Sequence, residues 1–124
     1  MKLRIQSNSI RVRLSRAEVS ALADGKMVSQ TTAFTPVTKL ISSVETSSQV
    51  TSPFATFDLS RIAIVLPHER TRLWASSDDV SLQAEQPIDL QHSLALLIEK
   101  DFECLHHREE DQDAFPNPRK QNAD

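Results

Sequence analysis

The sequence predicts an α+β fold: a mainly antiparallel, curved or barrel-like sheet of about six to eight strands carrying two short helices. Three observations lead there. Apolar residues alternate with a period of two in Leu3–Ile5, Ile10–Leu14, Ile62–Leu66 and Val80–Ala84, as half-buried strands require. Helix-start chemistry follows two of these runs, at Ser15 and at Pro67. Finally, Ile10–Val28 has a faint copy at Ile62–Val80. A shift of 52 sets Ile10, Val12 and Leu14 on Ile62, Ile64 and Leu66, Leu22 on Trp74, Ala23 on Ala75 and Val28 on Val80. We read two β-α-β pseudo-repeats, about 10–46 and 62–101, packed against each other within a domain of residues 1–105.

The elements follow in order. Leu3–Ile5 and Ile10–Leu14, joined by Ser7–Ser9, predict a β-hairpin. Its inner face is Leu3, Ile5, Ile10, Val12 and Leu14; its outer face is Lys2, Arg4, Arg11 and Arg13. Ser15-Arg16-Ala17-Glu18 is a capping box, in which hydroxyl and carboxylate each satisfy an orphan amide. Val19, Leu22 and Ala23 give the helix one apolar face, and Asp24-Gly25 ends it. Strands are expected over 27–34 and Leu40–Thr46, then a polar loop to Pro53. Phe54–Leu66 reads as one long strand bent near Ser60–Arg61. Pro67 suits the first turn of a helix over His68–Ala75, with Leu73 and Trp74 in the core. Val80, Leu82 and Ala84 form the next strand. Ser93–Phe102 fits strand or helix; position in the repeat favours strand to about Lys100. Residues 106–124 form an acidic, proline-containing tail.

Composition closes several function classes. Gly25 is the single glycine among 124 residues, so neither a P-loop nor a dinucleotide fingerprint exists. No G-x-S-x-G elbow occurs. The single cysteine, Cys104, cannot form an internal disulfide, which fits a reducing compartment. No secretory signal or 18-residue apolar run is present, so a cytoplasmic location without a membrane partner is expected. The net charge of -3 disfavours nucleic acid.

Two stretches, KLRIQSNSIRVRLSRAE at Lys2–Glu18 and LALLIEKDFECLHHREEDQDAFPNP at Leu94–Pro118, resemble a family of short, uncharacterised bacterial proteins. The resemblance implies a bacterial, cytoplasmic chain and supplies no site residues. Ile62–Glu69 also resembles the strand-proline-helix element of swapped-hairpin transcription regulators of the AbrB type, which bind DNA as dimers. Ser76–Asp79 stands where those proteins carry a glycine.

Candidate chemistry is sparse. Lys2, Arg4, Arg11 and Arg13 share one hairpin face and could hold a phosphate or polyanion through charge-assisted bonds. The first reading is instead a ladder with Glu99, Asp101 and Glu103, should that strand lie beside the hairpin. Cys104, His106 and His107 are zinc-type ligands, but their spacing matches no standard finger and Cys104 is more often a small buried hydrophobe. Lys100 shares a face with Leu96, Ile98 and Phe102. A base or nucleophile there competes with a lysine whose stem packs while its head reaches water. No metal and no cofactor is implied. The sequence favours a non-enzymatic domain that binds a partner, or assembles as a homodimer. The alternative is a small-anion or phosphate-ester site on the basic hairpin, possessing enzymatic potential; an AbrB-like DNA-binding dimer comes after it.

Overall fold

A computed structural model describes residues 1–102 together with Phe115 and Pro116. The elements are β1 (Lys2–Gln6), β2 (Ser9–Leu14), α1 (Arg16–Ala23), β3 (Val28–Ala33), β4 (Lys39–Ser47), β5 (Phe54–Asp58), β6 (Arg61–Pro67), α2 (His68–Ala75), β7 (Ser81–Pro87) and β8 (Ser93–Lys100). The α+β class is as expected, and Ser93–Lys100 is strand. Among the described residues the strands do not form one sheet, and no barrel closes. The strands form two sheets of four, ordered β1-β2-β8-β7 and β3-β4-β6-β5.

The helices explain the split. α1 leaves β2 in one sheet and delivers the chain to β3 in the other; α2 takes it back from β6 to β7. Each sheet therefore combines one hairpin from each half of the chain. The four ladders within hairpins are antiparallel, and the two that join halves, β2–β8 and β4–β6, are parallel. In both sheets the central register is alike. Val12 lies opposite Ile98, and Ile64 opposite Val44, so the strands correspond at 64 − 12 = 52 and 98 − 44 = 54 positions.

The core lies between the inner faces. Val12, Leu14, Leu66 and Ile98 have no exposed surface, and Ile64 almost none. Full burial of such a side chain contributes about 1.5–3 kcal/mol. Over one end lie the two helices. Ser15 and Glu18 form the capping box, with Glu18 N–H to Ser15 Oγ at 3.2 Å and Ser15 N–H to Glu18 Oε1 at 2.9 Å. Gly25 follows at φ +82°, a conformation that costs a Cβ-bearing residue energy. Val19 and Leu22 bury the inner face of α1.

Three local expectations are corrected. Phe54–Leu66 is a hairpin, not a bent strand: Leu59 and Ser60 both take positive φ (49° and 62°), which closes a two-residue turn. Pro67 ends β6 and caps α2 from outside rather than opening its first turn; its carbonyl accepts from Thr71 Oγ1 at 2.7 Å. Leu73 is 60% exposed, because Thr71 and Trp74 take the buried face of α2. Among the described residues no helix is long and apolar enough to cross a membrane.

Candidate functional site

Strand alternation builds the basic face. Ile10, Val12 and Leu14 point into the core, so Arg11 and Arg13 project outward, and the antiparallel register places Lys2 beside Arg13 and Arg4 beside Arg11. The parallel neighbour β8 then brings Glu99 opposite Arg13. Arg13 Nε donates to Glu99 Oε1 at 2.6 Å, and Arg11 Nε stands 3.7 Å from the same oxygen. Lys2 Nζ lies 2.9 Å from Asp101 Oδ2. That hydrogen bond, with the charges of Lys2 and Arg13, holds the Asp101 carboxyl below the usual range. The structure thus gathers all four cations on one face and sets two of the ladder's carboxylates among them. Glu103, the third, lies outside the described residues. Arg4 and Arg11 also line an open depression of about 520 Å³, together with Gln6, Ser9, Gln83 and Glu85.

The other candidates are placed differently. Lys100 Nζ donates to the Ser77 carbonyl at 2.7 Å and stands 5.4 Å from the centre of the Trp74 ring. Its head is held against α2 and the following turn, a position suited to a cation–π contact. Trp74 is 3% exposed, the core position expected of it. Cys104, His106 and His107 lie outside the described residues, and within those residues no group of three metal-ligating side chains occurs. His68 Nδ1 is 3.0 Å from Thr46 Oγ1. Near His92, Asp89 accepts amide bonds that, with the imidazole, hold its carboxyl below the usual range.

Sequence reasoning missed the end of the molecule opposite the helices. The parallel ladders bring the hairpin turns together there in pairs. Asn8 reaches Ser93 O at 2.7 Å and accepts from Ala95 N–H at 3.1 Å; Ile41 N–H donates to Ser60 O at 3.0 Å. These turns present Phe34, Val37, Leu59, Ile88 and Leu90 to solvent, with Ile5 and Phe57 beside them. They are seven of the twelve exposed large apolar side chains among the described residues, so the concentration at one end is real. Between the sheets at this end Ile5, Ile10, Ala55, Phe57, Ile62 and Leu94 line an apolar cleft of about 320 Å³. The local charges cancel, Lys39 and Arg61 against Asp58 and Asp89. A readable signal existed: Phe34-Thr-Pro-Val37 and Ile88-Asp-Leu90 put apolar residues inside turn chemistry, where solvated polar ones are usual.

A family match runs over residues 1–119, from β1 past the end of β8. The chain belongs to DUF7009, a family of unknown function. The DUF7009 match spans both stretches that carry the sequence resemblance, and, as that resemblance implied, it brings no assigned activity. No curated protein and no solved structure matches the chain.

Proposed function

We propose that this DUF7009 chain is a non-enzymatic binding domain that docks a protein partner at its hairpin-turn end. The observation that carries the reading is the gathering of exposed apolar side chains around the cleft between the sheets. Holding Leu59 and Leu90 fully in water forgoes the free energy that burial of each would supply. A net-neutral end does not attract a polyanion. A concave cleft seats protruding side chains, which a protein partner offers and a flat lipid surface does not. The matching registers at spacings of 52 and 54 support descent of the two halves from one β-β-α-β-β unit. The lone cysteine fits the bacterial cytoplasm.

The test is a photo-crosslinking amino acid at Leu90, with Leu73 at the helix end as control, followed by binding of the purified crosslinked partner. A partner joined from Leu90 and not from Leu73, whose affinity falls in Phe57→Ser, supports the reading. Equal labelling from both positions, or co-sedimentation with vesicles in place of a protein adduct, rejects it.

A second reading, a phosphate ester on Arg4 and Arg11 flanked by Lys2 and Arg13, is favoured by the depression those two arginines line. It is disfavoured by the carboxylates of Glu85 and Glu99 on the same face. Thermal unfolding with phosphate esters and polyphosphate decides it. A native-state ligand raises the midpoint, and Arg11→Ala should abolish the rise. The exchange of hairpins between halves keeps the AbrB-type resemblance in view, and retention of duplex DNA by the wild type but not by Arg11→Ala would favour that form of the reading.

A further inference from the structure

Four strands are sheet edges: β1 and β7 in one sheet, β3 and β5 in the other. An open edge is a row of unpaired amides and carbonyls, and proteins guard such rows with charge, proline or a cover. Three of these edges are guarded. β1 carries Lys2 and Arg4. β7 carries Glu85 and ends at Pro87, which has no amide proton. β5 is covered by a side chain: Ala55 N–H donates to Gln86 Oε1 at 2.6 Å, and Gln86 Nε2 donates to Ala55 O at 2.8 Å. That amide serves β5 as a neighbouring strand would.

Among the described residues, β3 has none of these guards. It reads Val-Ser-Gln-Thr-Thr-Ala, with no charge and no proline, and its register with β4 runs unbroken from Val28 to Ala33. The counterpart of Gln86 on this side is Thr32, 54 positions earlier, and the counterpart of Ala55 is Leu3, 52 earlier. A threonine hydroxyl sits too close to its backbone to reach across as glutamine does, so β3 is not latched to β1 as β7 is to β5. Phe34 N–H bonds Thr38 O at 2.9 Å in the β3–β4 register, so the amides of 28, 30 and 32 also point to β4. Those of Ser29, Thr31 and Ala33 point outward, and all three residues are exposed.

We propose that β3 is a pairing edge for a second copy of this chain. β3 meets β3 antiparallel about a twofold axis at Thr31, joining two four-stranded sheets into a continuous one of eight. Thr31 then exchanges both main-chain bonds with the second copy's Thr31, and Ser29 lies opposite Ala33. The antiparallel pattern gives about six such bonds. Charge selects the occupant. A twofold axis sets each edge against itself: β1 would oppose cation to cation, β7 would approach with Glu85 on both sides, and β3 opposes only uncharged side chains. The small outward row Ser29, Thr31, Ala33 also offers no pocket to select a foreign peptide. This surface meets the turn end only at Phe34, which would lie opposite the second copy's Val28, and it goes beyond the partner docking proposed there.

The test is light scattering with size exclusion and sedimentation equilibrium on the full chain. Five proteins are compared: wild type, Thr31→Pro, Thr31→Lys, Thr31→Glu and Phe57→Ser. Thr31→Pro deletes an outward amide and spares the β3–β4 bonds, a placement that edges tolerate. Far-UV circular dichroism checks folding of each variant. We expect twice the chain mass for the wild type and for Phe57→Ser, and the single-chain mass for Thr31→Pro. Thr31→Lys alone should be single at low salt, and an equimolar mixture with Thr31→Glu should recover twice the mass. A wild type of single-chain mass at the highest concentration overturns the proposal. So does a dimer that survives Thr31→Pro, or one lost in Phe57→Ser, which would place the contact at the turn end.

Discussion

Gln86→Ala removes the two bonds that cover the β5 edge. Ala55 is 6% exposed, so water reaches its freed amide and carbonyl poorly. Each lost bond costs about 0.5–1.5 kcal/mol, and the burial of Ala55 moves the pair toward the upper part of about 1–3 kcal/mol. At about 4 °C per kcal/mol for a chain of this size, the melting midpoint should fall by about 4–12 °C. Urea titration with the slope unchanged is the assay, because an altered slope would mean a changed denatured state. Gln86→Glu gives a sharper test. Its carboxylate can still accept from the Ala55 amide, but when ionised it faces the Ala55 carbonyl acceptor to acceptor. That repulsion raises the folded-state pKa of the new carboxyl, so the deficit should ease as pH falls toward the ordinary glutamate value of about 4.3, the protonated carboxyl being able to donate. A loss under about 0.5 kcal/mol in Gln86→Ala, the range of an ordinary surface change, would show that the latch contributes nothing to stability.

The terminal ammonium of Met1 lies 2.7 Å from Glu18 Oε2. Burial pushes the Glu18 carboxyl up, but the hydrogen bonds from Met1 and the Ser15 amide outweigh it and leave the group below its ordinary value. The pair's stability is therefore complete above the ordinary glutamate range and is lost as pH falls through the lowered value. Urea midpoints from pH 7 to pH 2 should show the wild type converging on Glu18→Gln in acid; parallel curves would refute the coupling. Leu59 holds φ 49° with 91% of its surface exposed, so Leu59→Asn should raise stability by about 0.5–1 kcal/mol while weakening capture at the turn end. A fall in thermal midpoint would contradict the strain. Leu66→Ala should cost about 2–5 kcal/mol by cavity formation, whereas Leu73→Ala, on the exposed face of α2, should stay within about 0.5 kcal/mol; calorimetry distinguishes them.

Much of the fold was legible because local rules and burial agreed. Period-two alternation located β1, β2 and β6, and the capping box located α1 to the residue. The Phe54–Leu66 hairpin was hidden because its turn is Leu59-Ser60, without the asparagine or glycine that normally announces positive φ. The division into two sheets was invisible for a different reason. Alternation fixes which face a strand buries and says nothing of which strand lies beside it. The basic face could be read from four side chains on one hairpin, and even its pairing to Glu99 was foreseeable once β8 was strand. The apolar turns carry a signal in Phe34-Thr-Pro-Val37 and Ile88-Asp-Leu90, but the contact of Gln86 could not be read. A glutamine in a strand looks like a solvated residue until a neighbouring edge is placed against it.

The exchange of hairpins also dictates when the protein can form. Arg13 and its partner Glu99 are separated by 86 residues, and no stretch shorter than this closes the sheet that contains β2. On an emerging polypeptide β2 must wait, with the edge that takes β8 unpaired, until Ser93–Lys100 has been synthesised. Closing so long a loop delays the return from the contacts that reward it, which places this small chain among slow, nonlocal folders. A product truncated before Ser93 would hold one sheet with its central strands paired and one open beside β2, and so would be a substrate for chaperones and proteases rather than a half-working protein.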